Sequence, residues 1–289
     1  MQYNQYWNIG FCEQTPEELI RDKQLKPVRW LNHPYRDRWF ADPFIYKVTE
    51  SEIVVFVEEC PMESPKGIIC ELVIDKETMR LKERYVMLEL ESHLSYPAIV
   101  QYDGKIYVYP ENGASGRLYI YEYNGEKHIL ENPICILDEA VADATIIDYK
   151  EHFYMSATMF PKTLENAFLY ESESLFGPFR HIGDKPYQTD RNSSRQGGNW
   201  MVVDNNIYRP AQDCMKNYGA ALNVMNLKMD DGIIFETIVF RLNPVRGRYG
   251  LGLHTINFSD GWCVVDGYGF YMRLLGGFYY LLRRVTGKK

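Results

Sequence analysis

The chain has few of the features that mark nucleic-acid or membrane-spanning proteins. Its 32 Lys and Arg stand against 39 Asp and Glu, leaving a net charge of −7. Clustered basic residues, on which nucleic-acid binding rests, are missing, so no nucleic-acid partner is expected. No run of about 18 apolar residues occurs, so no helix should span a bilayer. The six cysteines (Cys12, Cys60, Cys70, Cys135, Cys214, Cys263) are scattered, with no C-x-x-C pair. They read as reduced core residues rather than a zinc site or a disulfide framework. No GxGxxG and no P-loop is present, and no Asp-x-Asp pair offers a metal-bound nucleotide sugar its carboxylates. The first ten residues carry neither a basic n-region nor an apolar h-region, which argues against a secretory signal and for a cytoplasmic location. Helical periodicity is also scarce. One segment, Thr15-Pro16-Glu17-Glu18-Leu19-Ile20-Arg21, has the cap, the proline and the acidic first turn of a helix start.

Strands and aromatics are plentiful. Hydrophobic residues make up 46% of the 289 residues and aromatics 15%, with 23 Tyr and 5 Trp. Tyr and Trp favour strands and also line sites that stack on sugars. In Trp39-Phe40-Ala41-Asp42-Pro43-Phe44-Ile45-Tyr46 a carboxylate precedes a proline at the start of an apolar strand. Pro pushes Asp42 toward an extended backbone and is tolerated at a strand's first residue.

This pattern repeats. A polar residue or Tyr opens an apolar strand at Asp42, Tyr96, Asp143, Asn199 and His254, at spacings of 54, 47, 56 and 55. Each is followed, after a turn, by a second strand: Ile53–Glu59, Ile106–Glu111, Phe153–Thr158, Ile207–Gln212 and Trp262–Asp266. Asp103-Gly104 and Asp260-Gly261 are hairpin signals between them. A third strand follows in most repeats. Five repeats of about 50 residues predict an all-β, five-bladed β-propeller; a sandwich and a jelly roll are the alternatives. The predicted organisation is an N-terminal arm (1–27), the propeller (28–268) and an aromatic, basic C-terminal tail (269–289). The tail reads either as a closing strand and short helix or as a peripheral contact with the inner face of a membrane.

Inner strands of a propeller face its axis, so equivalent strand ends converge. The predicted pit gathers Asp42, Tyr96, Asp143, Asn199 and His254 from the first strands. The second strands add Glu58 or Glu59, Glu111, Thr158, Gln212 with Asp213, and Asp266, and blade four adds Arg195 and Arg209. Like charges brought together split their proton affinities into acid and base. Asp42, Glu111 and Asp143 are the expected catalytic groups. Trp39 and Tyr96 are expected to stack on a sugar. Glu59, Arg195, Arg209, Gln212, Asp213, His254 and Asp266 are expected to bind substrate. A lone His at a strand start is more often a structural residue than a ligand, and near the axis His254 could instead orient a carboxylate or help hold a cation or water. No cofactor or zinc is implied, and a structural calcium near His254 stays open.

Ala41-Asp42-Pro43-Phe44 resembles the first-blade signature of five-bladed propeller glycosidases, the relatives of glycoside hydrolase family 43 and families 32, 117 and 130. Leu175-Phe176-Gly177-Pro178-Phe179 resembles their blade-end phrase. Longer runs resemble the N-terminal propeller of plant glucosamine inositolphosphorylceramide transferases and similar domains of bacterial polysaccharide-assembly proteins. These are Ser95-Tyr96-Pro97, Tyr109-Pro110-Glu111-Asn112, Asp143-Ala144-Thr145, Arg209-Pro210-Ala211-Gln212-Asp213-Cys214 with Tyr218-Gly219, and His254-Thr255. The resemblance implies an aspartate base on blade one, carried onto Asp42. The second aspartate of those glycosidases is Tyr96 here, and their acid glutamate falls on Asp143. The expectation is an enzyme acting on a glycosidic bond of a glycan or sugar conjugate. The alternatives are a glycosyltransferase or transferase-associated protein of glycolipid or surface-polysaccharide synthesis, and a non-catalytic glycan-binding propeller.

Overall fold

A computed structural model describes residues 5–64, 66–230 and 233–270. The chain opens with β1 (Gln5–Cys12), a short helix α1 (Pro16–Asp22) and β2 (Arg29–Trp30). The Thr15 side chain accepts from the Glu18 N–H and the Glu18 side chain reaches back to the Thr15 N–H, the reciprocal cap its sequence predicts.

Four complete blades follow. The first holds β3 (Arg38–Val48), β4 (Glu52–Pro61), β5 (Ile68–Asp75) and β6 (Leu81–Leu88). The second holds β7 (Ser95–Tyr102), β8 (Lys105–Glu111), β9 (Leu118–Asn124) and β10 (Ile129–Leu137). The third holds β11 (Val141–Tyr149), β12 (His152–Met159), β13 (Ala167–Ser172) and β14 (Arg180–His181). The fourth holds β15 (Met201–Val203), β16 (Asn206–Asp213), β17 (Ala221–Asp230) and β18 (Ile233–Leu242). Last come β19 (Ile256–Ser259) and β20 (Trp262–Phe270). The closing sheet runs β19-β20-β1-β2, so two strands come from each end of the chain. Five four-stranded antiparallel sheets thus make a five-bladed β-propeller.

Two expected boundaries look different here. Residues 1–27, read as an arm, give β1 to the closing blade, because Ile9 and Phe11 bury their side chains in the seam with blade one. The tail begins inside β20, and residues 271–289 lie outside those described. All six cysteines are free thiols; five are buried, and Cys135 is exposed rather than in the core.

The seams between blades are apolar. Phe56, Ile69 and Met87 of blade one meet Val108, Tyr121 and Leu130 of blade two. Leu169 of blade three meets Trp200, Ile207 and Leu227 of blade four. Both faces of most sheets are therefore buried, which explains the long apolar runs where a half-exposed sheet would alternate. The ring positions the chemistry: its inner strands β3, β7 and β11 each carry a bulge at their first turn toward the axis.

Candidate functional site

The bulges come from the repeat itself. Register slips between Ala41 and Phe44, between Ser95 and Ala98 and between Ala142 and Thr145. The residue at each bulge is left-handed: Asp42 at φ 49°, Tyr96 at 46° and Asp143 at 48°. Asp adopts this region with modest cost, whereas for Tyr it is a real outlier and marks a constrained site. Sequence alone predicted an extended Asp42 before proline. The bulge overrides that preference and turns the carboxylates toward the axis.

Each bulge N–H is held by an acid of another blade or strand. The Asp42 N–H donates to Asp266 Oδ2 at 3.1 Å, joining blade one to the closing blade. The Tyr96 N–H donates to Asp42 Oδ2 at 3.2 Å, and the Asp143 N–H to Glu111 Oε2 at 3.1 Å. Carboxylates from four blades are thereby drawn to one pit. Asp42 also accepts from the Thr255 hydroxyl at 2.8 Å and lies 3.3 Å from His254 Nε2. Arg195 spans the other two acids. Its Nε donates to Asp143 Oδ2 at 2.6 Å and its Nη2 lies 3.3 Å from Glu111 Oε2. Gln212 Nε2 donates to Asp143 Oδ2 at 2.8 Å.

Burial sets the charge states. It pushes Asp42 up to about 6, against the pull of His254 and with help from Asp143 and Asp266. It pushes Glu111 up to about 8, although Arg195 pulls the other way. Glu58 is driven well above the carboxylate range by burial and by the charges of Asp42, Glu111 and Asp143. For His254 burial opposes protonation, but Asp266 and Asp42 outweigh it and raise the imidazole. Its Nδ1 lies 2.7 Å from Asp266.

Several expected ligand-facing residues have other work. Tyr96 is not a stacking platform. It is fully buried, its hydroxyl lies 2.9 Å from Thr145 Oγ1 and accepts from the Gly198 N–H at 2.9 Å, and it floors the pit. Gly198 must be glycine there, at φ 138° with the Ile256 carbonyl 1.9 Å from where a Cβ would lie. Tyr96→Phe would leave that buried N–H unpaired. It is expected to cost about 2 kcal/mol in denaturant unfolding without altering ligand affinity.

Glu59 faces away from the pit and is clamped by Arg38 and Arg84. Glu58 stands in its place, since Glu58 pairs with Ala41 as Glu111 pairs with Ser95. Arg209 is fully buried in an ion pair with Glu236, and Asp213 is bound by Arg241. Asp266 has both oxygens filled by the N–H groups of Asp42, His254 and Thr255, so it braces the site rather than opening to a ligand. Asn199 ties blade four to the closing blade through its N–H and Asn257 Oδ1. Trp39 is half-buried at the rim beside Trp7 and Tyr268.

Tyr218 was not singled out from the residues' own chemistry. It is partly exposed at the mouth, with the Arg195 guanidinium 5.3 Å from its ring centre and the His254 ring edge-on at 5.3 Å. The next residue, Gly219, brings backbone so close to His254 that a Cβ would meet the His254 Cβ at 2.7 Å and the imidazole Cγ at 3.2 Å. Asp42, His254 and Asp266 offer three ligand atoms within 4.8 Å of one another, the place where a structural cation near His254 was left open. Those atoms are already spent on one another and on backbone N–H groups.

The fold is shared with glycosidases. A thermostable family-43 glycoside hydrolase superposes at TM-score 0.54 and 15% identity, covering 72% of this chain and 77% of that one. A family 117 glycoside hydrolase from Zobellia galactanivorans superposes at 0.55 and 12% identity over 91% and 90%. An α-L-arabinanase of Cellvibrio cellulosa, complexed with arabinohexaose, gives 0.52 and 15% over 70% and 76%. By sequence, the chain is 26% identical over 202 residues to glucosamine inositolphosphorylceramide transferase 1 of Oryza sativa subsp. japonica, across 67% of this chain. The Arabidopsis thaliana protein of the same name is 26% identical over 204 residues, across 66% of this chain. The match spans only about a quarter of those relatives, 27% and 26% of their lengths. Residues 29–244 match the family described as glucosamine inositolphosphorylceramide transferase 1, N-terminal. That match takes in four blades and the Arg195–Tyr218 wall of the pit, and the chain belongs to this family.

Proposed function

We propose that this propeller acts on a glycosidic bond of a glycan or sugar conjugate. The observation that carries the reading is the split in proton affinity among buried acids of one pit. Asp42, near 6, is largely ionised at neutral pH, whereas Glu111, near 8, largely keeps its proton. Chemistry at an anomeric carbon needs that pair: a base for the incoming hydroxyl or water and an acid for the leaving oxygen. In this reading Asp42 is the base and Glu111 the acid. Asp143, gripped by Arg195 and Gln212, orients them. Tyr218 and Trp39 present aromatic faces to the sugar.

Arg195 is committed to two carboxylates, so it is a poor anchor for a negative substituent. Five acids (Asp42, Glu58, Glu111, Asp143, Asp266) surround one arginine and one histidine. A neutral or amine-bearing sugar suits that balance better than a uronate, and the glucosamine in the relatives' name agrees with it.

Glu111→Gln tests the acid. Wild-type protein is assayed against aryl and alkyl glycosides, with and without nucleotide sugars. The variant should lose about 10²–10⁴-fold on alkyl glycosides and far less on dinitrophenyl glycosides, whose leaving group needs no proton. Equal loss on both would remove Glu111 from the role. A second reading, a glycan-binding propeller serving a transferase, is favoured by the short share of the relatives that the chain matches. It predicts glycan binding with no turnover in any of these assays.

A further inference from the structure

The ring is closed by one strand pair, β1 against β20, and Cys12 and Cys263 are direct partners in its register. Directly opposed residues of antiparallel strands have Cα atoms about 4.5–5.5 Å apart and side chains on one face, within the span a disulfide bridges. Both thiols are buried in the same cluster, between blade four and the closing blade. The other paired cysteines face no cysteine: Cys60 opposes Trp39, Cys70 opposes Val57, and Cys135 opposes Tyr119. Cys12 is the last residue of β1 and is followed by exposed Glu13.

We propose that Cys12 and Cys263 are a disulfide-forming pair that staples the first strand of the propeller to its last. The inference does not depend on the sugar chemistry above. The oxidant is a low-molecular-weight disulfide such as glutathione disulfide. The Cys12 thiolate attacks one of its sulfurs, the S–S bond breaks, and one glutathione thiolate leaves and takes up a proton. Cys263 loses its proton and attacks the Cys12 sulfur of the mixed disulfide, releasing the second glutathione. Two protein thiols are oxidised by two electrons and one glutathione disulfide is reduced to two thiols. A hydrogen bond from Cys263, opposed by burial and aided by Lys26, holds Cys12 below the ordinary thiol range, which suits it to attack first.

The staple would close a loop of about 250 residues and add a covalent link to the strand pair that closes the ring. It would also fix the strands that carry Trp7 and Asp266. Trp7 lies 4.1 Å from the His254 ring, and Asp266 holds the Asp42 bulge.

The full chain with Cys135→Ser, which removes the exposed thiol, is equilibrated in glutathione buffers and mapped without reduction. The expected result is a linked Cys12–Cys263 peptide and a protein about 2 Da lighter. The unfolding midpoint should rise by about 10 °C and return on reduction. Cys263→Ser should lose the rise; if that variant does not fold, the peptide map still decides. Glutathione adducts without the cross-link, a link between other cysteines, or a cross-link that leaves the midpoint unmoved would each overturn the proposal.

Discussion

Asp42→Asn is expected to lower turnover by about 10³-fold while leaving ligand affinity within a few fold. The magnitude is that of removing a positioned base. The separation of the two effects comes from geometry. Asn is close to Asp in shape, and its amide oxygen can still accept the Tyr96 N–H, which now goes to Asp42 Oδ2. The Thr255 hydroxyl can turn to accept from the new amide instead of donating to Asp42 Oδ1. The floor made by Tyr96 and the Arg195 bridge between Glu111 and Asp143 do not involve the exchanged atoms. Binding is read by calorimetry on the unreactive variant and turnover by product release. A propeller that only binds glycan predicts instead that D42N behaves as wild type in every function that can be scored. An equal fall in affinity and turnover would mean that Asp42 grips the sugar in its resting state rather than in the transition state.

The ring was legible in the sequence because the repeat spacing and the hairpin turns are local signals. Asp103-Gly104 sets β7 against β8 from Tyr102 opposite Lys105 to Ala98 opposite Tyr109, and the bulge beyond Ala98 then brings Ser95 opposite Glu111. The convergence of Asp42, Glu111 and Asp143 follows from the same spacing. What the spacing could not decide was the face of a side chain after a bulge. Glu58 and Glu59 differ by one residue, and a one-residue step reverses which side of a strand is presented. The left-handed bulge at Asp42 sets the register, and a proline-based reading pointed to an extended backbone there.

The polar run Arg209-Pro210-Ala211-Gln212-Asp213 shows the same limit. Alternation turns Gln212 to the pit, while Arg209 and Asp213 turn outward to Glu236 and Arg241. Those partners lie 27 and 28 residues further on, and no local pattern announces them. Tyr96 stood where an acid was looked for. Its hydroxyl bridges to blades three and four, a contact across the axis that only the closed ring supplies.

Stability is expected to fall as pH rises from about 5 to 8, by several kcal/mol. Asp42 moves from an ordinary carboxylate value to about 6 on folding, and Glu111 to about 8. A group whose affinity for protons is raised by folding stabilises the native state below its unfolded pKa. That contribution is lost as pH climbs through the folded value. Glu58 and His254, both raised, act with the same sign. Each pK unit is worth about 1.4 kcal/mol, but the acids repel one another, so their effects add to less than the separate sums. The exposed acids lowered by neighbours, such as Asp22 beside Arg21 and Asp37 beside Arg38, act oppositely and only below about pH 4. The curve of chemical stability against pH should therefore peak near pH 4 and fall from there through pH 8. Glu111→Gln should flatten its alkaline limb above pH 6, because an amide there has no proton to surrender. Stability that rose steadily from pH 5 to 8 would mean that the acids of the pit are solvated rather than buried. The division of labour between Asp42 and Glu111 would then fail with it.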